Sequence, residues 1–461
     1  MAMEENREPK FMIRTANIEE ERAFDYVGKR QMKKPCGVFA STMHLIKGAL
    51  GAGILSGHVA FMKAGVAVAM PIVVVLGIYM TCTLLLLLRS AQRLCCRMKI
   101  TRMSYSDVGE AALTVFPNKR VAKLAKLFRY IIDGTIMVDL FGSCCCYQII
   151  VAKTAKQIVE NLQETTLEAN GSSPHIRVYL IGFLLPVIAI CLIPHLKWLA
   201  PFSGAANALI AFCVFVTIYY AMQENPGCEN LILAKSFSGA LQMVGMTIFS
   251  ISCAAIVIPV ENNMADPYKF PVALCAGMTV NIILVVVIAF FGYMAYLEKS
   301  ESPITVNFPL TILPKIMKVA IALMIIVTHA LNFWIPFVYA WYYIKRFHKN
   351  SKHLMRWELF YRALTVTIIC IIAIIFPKIE AIMGFLGCIC LSNIAFIWPA
   401  VMYLLVTWER PGLGIYKWRL IVVILLLIFG FFLLLVGGWV NVYEMISVFM
   451  EVNINSQNLN F

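Results

Sequence analysis

Eleven stretches of this chain are each apolar over about the 20 residues that a helix needs to cross a bilayer. They fall at roughly 41–64, 66–90, 130–156, 177–195, 198–221, 238–260, 271–297, 315–345, 357–377, 380–407 and 418–446. The pattern predicts an all-α polytopic membrane protein, since lipid offers no partner to a free backbone N–H or C=O group. A chain that is 61% hydrophobic and only 14% charged over 461 residues fits no soluble domain.

Charge sets the expected orientation. The first forty residues carry no signal-peptide pattern and include the basic cluster Lys29, Arg30, Lys33 and Lys34. With that end inside, most of the 39 Lys and Arg residues fall in cytoplasmic segments. This bias accounts for the net charge of +14 better than nucleic-acid binding does. The expected organisation is a cytoplasmic tail over 1–40, a transmembrane bundle over 41–446, and a short non-cytoplasmic tail over 447–461. Asn170-Gly171-Ser172 is the one glycosylation sequon, and Asn170 lies in a loop expected outside.

Of the 15 cysteines, most lie inside spans as small hydrophobes, and none recurs at zinc spacing, so no metal is expected. The segment after span two is basic and then amphipathic, as if to lie along the inner membrane surface. Cys95 and Cys96 at its start are either lipidation sites or incidental. No phosphate loop, HExxH helix or GxSxG elbow occurs. Neither an enzyme nor a cofactor is expected.

Glycines at 48, 51, 53 and 57 interrupt span one within HLIKGALGAGIL and just after it. Each weakens a helix interior by about 1 kcal/mol relative to Ala. Unwound backbone in a membrane must line a cavity or lie buried in protein, and transporters use it to hold substrate near the midplane. The alternative is that these small residues only let helices approach closely. His44, about two turns earlier, suits proton coupling, or else is hydrogen-bonded in the bundle or at its edge. His58 is a second candidate, and Lys63 reads as a snorkelling side chain.

Span three carries Asp133 and Asp139, the latter deep enough that it must pair, protonate or face water. It is a proton site, a counter-charge, or a structural partner for another span. Span six carries Ser250, Ser252 and Cys253 near mid-depth, then Pro259 and the polar Glu261-Asn262-Asn263. It takes the place that matches span one if the bundle is two five-helix halves.

These residues resemble the proton-coupled amino-acid transporter family of the amino acid/auxin permease group. HLIKGALGAGIL with Lys63-Ala64-Gly65 is similar to the family's first span. Asp133, Gly142, Cys144, Cys145 and Tyr147 match its third, and Ile258-Pro259-Val260-Glu261-Asn262-Asn263-Met264, Asp266-Pro267 and Lys269-Phe270-Pro271 its most distinctive stretch. Thr305-Val306-Asn307-Phe308-Pro309 resembles its loop before span eight. The resemblance runs from about residue 40 to 446 and implies a five-plus-five inverted-repeat, LeuT-like fold. The halves would be about 41–221 and 238–407, with an extra helix at about 418–446.

The implied activity is secondary active transport of small neutral amino acids, coupled to protons, across the plasma membrane or a lysosomal or endosomal membrane. The alternative is an amino-acid sensor with little flux. By the resemblance, His44 couples protons, Gly51, Ala52, Gly53 and Ile54 cradle the substrate carboxylate, and Tyr147 faces the pocket. Ser250, Ile251 and Ser252 would complete it from span six. The family's Phe-Glu-Gly-Ile-Gly is here Ile251, Ser252, Cys253, Ala254 and Ala255. Asp139 is the candidate to replace the missing carboxylate.

Overall fold

The computed structural model describes residues 17–30, 35–49, 51–161, 175–193, 200–224, 228–349 and 351–458. Among them, eight helices are long and apolar enough to cross a membrane. These are Val66–Met98, Ala125–Glu160, Phe237–Glu261, Pro267–Lys299, Ile312–His348, Leu354–Ile375, Ile379–Thr407 and Ile415–Met450. The pair Val38–Ala49 and Ala52–Ala64, bent by 56°, makes a ninth if its two helices are one span. Helices Ile176–Cys191 and Ala200–Glu224 stand where spans four and five are expected. Their apolar helical stretches, Ile176–Cys191 and Ala211–Gln223, are shorter than a full span. Spans are numbered below by the eleven expected positions. Among the described residues the β-pairing is a single isolated bridge, Cys36 to Met264. Asn170 lies outside the described residues.

Spans one and two join at Gly65, whose φ of +86° is closed to most side chains. Its N–H bonds Phe61 O at 2.8 Å, and a Cβ there would stand 2.7 Å from Leu233 O. The segment before span six runs alongside, with Val66 N–H on Ile232 O and Lys235 N–H on Ala64 O, both at 3.0 Å. Lys63, expected to snorkel, is paired with neighbouring spans and keeps 21% of its side chain exposed. Its Nζ lies 2.7 Å from Gln242 Oε1 of span six and 3.1 Å from Glu444 Oε1 of the last span.

On the face that carries the N-terminal segment, the amphipathic stretch forms helix Tyr105–Val115, started by a Ser104/Asp107 capping box. It is not spread on a membrane surface. Val108, Ala111 and Ala112 are fully buried against spans three and ten. Arg129 of span three holds its polar side through Asp107 at 2.9 Å and Glu110 at 2.7 Å. The N-terminal segment is docked here too: Glu21 pairs with Arg97 at 2.7 Å, and Cys36 N–H bonds Asn263 O at 2.9 Å. Cys95 is buried and Cys96 half-buried.

The last span bonds into the bundle through buried Asn441, which donates to Gly437 O at 2.8 Å and Leu241 O at 3.4 Å. Its helix, Gly438–Asn458, runs on into the segment expected as a tail.

Candidate functional site

The first span is interrupted at Gly51, where φ and ψ are both −146°, and its two halves diverge by 56°. No side chain caps the second half. Among the described residues, its leading N–H groups, at Ala52, Gly53 and Ile54, have no partner from a preceding turn, and they carry the positive end of the helix dipole. Ala52, Gly53 and Ile54 are all buried.

The sixth span is interrupted as well. Helix Phe237–Ile251 ends at Ser252, which is extended with ψ of 128°, and Cys253 leads into Ala254–Glu261. Ser252 Oγ accepts from Ala254 N–H at 3.4 Å, while Ser250 Oγ donates back to Met246 O at 2.8 Å. Ile251 is buried and Ser252 half-buried. Without glycine, the break signal in this span is weak in the sequence, yet the backbone opens.

The two interruptions touch. A Cβ on Gly53 would lie 2.5 Å from Ser250 Cα, so only glycine permits this crossing. Gly48 is exposed, but a Cβ there would run into the end of the Ile256 side chain. A Cβ on Gly51 would lie 2.6 Å from the phenol oxygen of buried Tyr147. Thus Gly51, Gly53, Tyr147 and Ser250 are brought together from spans one, three and six.

Asp139 lies on span three about two turns before Tyr147. It is 5% exposed, and its Oδ1 has no hydrogen-bond partner among the described residues. Asp133, by contrast, accepts from Tyr343 of span eight at 2.7 Å and serves as a structural partner. His44 is on the exposed side of the first half-helix, one turn before exposed Gly48, with no partner among the described residues.

Several polar residues here went unread in the sequence. Asn332 of span eight donates to Tyr147 Oη at 2.9 Å. One turn earlier, buried His329 meets Gln148 at 3.2 Å and Cys191 Sγ at 3.5 Å. On the far face, loop 300–308 is pinned into the bundle. His58 Nε2 reaches Glu301 O at 2.9 Å, Lys153 Nζ donates to Ser302 O at 2.7 Å, and Gln157 Nε2 to Val306 O at 2.6 Å. Lys318 Nζ donates to Phe308 O at 2.9 Å. Lone polar residues in apolar spans were the available signal. Among the described residues, no group of three or more His, Cys, Asp or Glu side chains could hold a metal ion.

The family model for the transmembrane amino acid transporter protein matches residues 34–443. The chain is 30% identical over 402 residues to the proton-coupled amino acid transporter-like protein pathetic of Drosophila melanogaster, covering 86% of this chain and 83% of that one. It is 20% identical over 380 residues to the probable amino acid transporter skat-1 of Caenorhabditis elegans, covering 79% and 81%. Among solved structures it is similar to the inward-facing conformation of Mhp1, with a TM-score of 0.55 at 12% identity over 96% of both chains. A closed conformation of Mhp1, a nucleobase-cation-symport-1 family transporter with bromovinylhydantoin bound, gives 0.50 at 12% identity over 92% of this chain and 94% of that one. That likeness is one of fold.

Proposed function

This chain belongs to the transmembrane amino acid transporter family, and from that premise we propose that it moves small neutral amino acids across a membrane, coupled to protons. It is an integral multi-pass membrane protein. The observation that carries the reading is the meeting of the two interruptions at Gly53 and Ser250, with the Tyr147 phenol against Gly51. Four helix ends converge there. The N–H groups that open Ala52–Ala64 suit the substrate carboxylate, and the carbonyl groups that close Phe237–Ile251 suit its ammonium group. Recognition by main chain leaves the substrate side chain to the remaining space. Ile256 over Gly48 and Tyr147 over Gly51 limit that space, which supports small substrates. Alternating access would then rock the halves, about 41–221 and 238–407, around this point.

Two groups support proton coupling. Asp139 is buried two turns from Tyr147 with Oδ1 unpartnered among the described residues, and His44 stands exposed on the half-helix that leads into Gly51. The fly relative, named as a proton-coupled amino acid transporter-like protein, supports the same reading.

A sensor reading is favoured by a different observation. Arg30 of the N-terminal segment bonds the Glu261 carboxylate at the end of span six, so movement of that span would pull on the segment.

Tracer uptake of an amino-acid panel at acidic and neutral pH, wild type beside His44→Ala with surface expression checked, tests both. Acid-stimulated uptake of small neutral amino acids is the expected result, and its loss in the variant assigns coupling to His44. Uptake indifferent to pH removes the coupling. Stabilisation by amino acids without any uptake selects the sensor.

A further inference from the structure

We propose that Asn332 is a positioning residue that turns the Tyr147 hydroxyl into a hydrogen-bond donor for the carboxylate of the substrate. The inference rests on the transport reading above and says how the site selects an amino acid over its uncharged relatives. Asn332 Nδ2 donates to Tyr147 Oη at 2.9 Å. A phenol has one proton, and an oxygen that accepts from an amide N–H turns its own O–H elsewhere. Among the described residues no acceptor takes that proton. The oxygen stands against Gly51, where a Cβ would be 2.6 Å away, and the free N–H groups of Ala52, Gly53 and Ile54 follow immediately. The phenol O–H therefore joins main-chain donors at one point, a set suited to an anion.

Asn332 is held for this task. It is half-buried on span eight, and the turn before it is fixed to span three by the 3.2 Å contact of His329 with Gln148. Farther along, Tyr343 of span eight bonds Asp133 of span three at 2.7 Å. These contacts set the register of the two spans on either side of the Asn332–Tyr147 pair. The side-chain amide is thus delivered at one height and angle.

The test compares wild type, Asn332→Leu, Tyr147→Phe and the double variant. Uptake kinetics are measured with an amino acid such as alanine, and inhibition with alaninol, which keeps the amine and replaces the carboxylate by an alcohol. Thermal stabilisation of purified protein by both ligands accompanies each. Each single variant is expected to raise KM for alanine about tenfold, with little change in maximal rate and little change for alaninol. The double variant is expected to be no worse than Tyr147→Phe alone. Asn332→Ala serves as the second removal if Asn332→Leu does not reach the surface. Losses that multiply in the double variant, or alaninol binding lost in parallel with alanine, overturn the proposal and leave transport standing. A wild type with neither uptake nor stabilisation by any amino acid overturns the transport reading and this one with it.

Discussion

Arg30 Nη2 lies 3.1 Å from Glu261 Oε2, and both side chains are shut away from solvent at 1% and 3% exposure. The guanidinium also bonds Glu261 O at 3.1 Å and Thr101 O at 2.6 Å, and stacks 5.0 Å from the Tyr26 ring. The N-terminal segment is therefore part of the bundle at the end of span six. Removing one member of a buried pair leaves the other charge uncompensated, at a cost of about 3–5 kcal/mol. Arg30→Ala is expected to lower the melting temperature of the purified protein strongly. Glu261→Gln in that background should restore part of it. If the two losses simply add, the pair is not coupled and Arg30 acts through its main-chain bonds alone.

The crossing of spans one and six supplies a matched pair of glycine substitutions. A methyl on Gly53 would press on Ser250 Cα at 2.5 Å, where backbone must move. Overpacking of this kind costs about 1–3 kcal/mol. A methyl on Gly57 would meet Ala289 Cβ at 3.5 Å, an ordinary contact, and gains up to about 1 kcal/mol of helix propensity. Gly53→Ala is expected to destabilise the protein and abolish uptake, and Gly57→Ala to preserve both. Equal behaviour of the two would refute the crossing.

The first interruption was legible in the sequence because Gly48, Gly51 and Gly53 weaken a helix wherever they sit. The second was legible only by its place in the order of spans. Ser252 and Cys253 are unremarkable in a helix, and the chain opens there beside a residue almost two hundred positions away. Partner choice was hidden for the same reason. Arg30 read as one basic residue among four marking the cytoplasmic side, yet it is buried against Glu261. Asn332 drew no expectation, because nothing local in its apolar run points to Tyr147. Helix existence follows from local composition, whereas these pairings follow from packing. The amphipathic stretch 105–115 shows the limit of periodicity: its apolar face announced burial but not whether lipid or protein would cover it.

Loop 300–308 closes the far face through carbonyl groups held by side chains of spans three and eight. Lys153, one turn before Gln157 on span three, donates to Ser302 O at 2.7 Å. Lys153→Met keeps most of the length of the side chain and removes the donor. With Thr305→Cys as reporter, where Thr305 is 1% exposed, a water-soluble maleimide is expected to label the purified variant several-fold faster than the protein with Lys153 intact. Native cysteines set the background. Equal rates would mean that Gln157 and Lys318 suffice to hold the loop.

Asp139 separates a proton site from a structural carboxylate. Asp133 shows what the structural role looks like in the same helix: buried, and bonded by Tyr343 at 2.7 Å. Asp139 is also buried, but where Asp133 Oδ2 accepts from Tyr343, no donor to the Asp139 carboxylate is found among the described residues. A carboxyl group so placed gains nothing for stability from its charge, since burying an unpaired charge is unfavourable. Asp139→Asn preserves shape and removes the exchangeable proton. The variant is therefore expected to melt within about 1 kcal/mol of wild type, to reach the membrane normally, and to take up amino acid at the same rate at acidic and neutral pH. Asp133→Asn is the contrasting substitution, expected to weaken the Tyr343 bond and lower stability at every pH. If Asp139→Asn keeps the acid stimulation of wild type, the proton enters elsewhere, and His44 on the exposed half-helix becomes the group to follow.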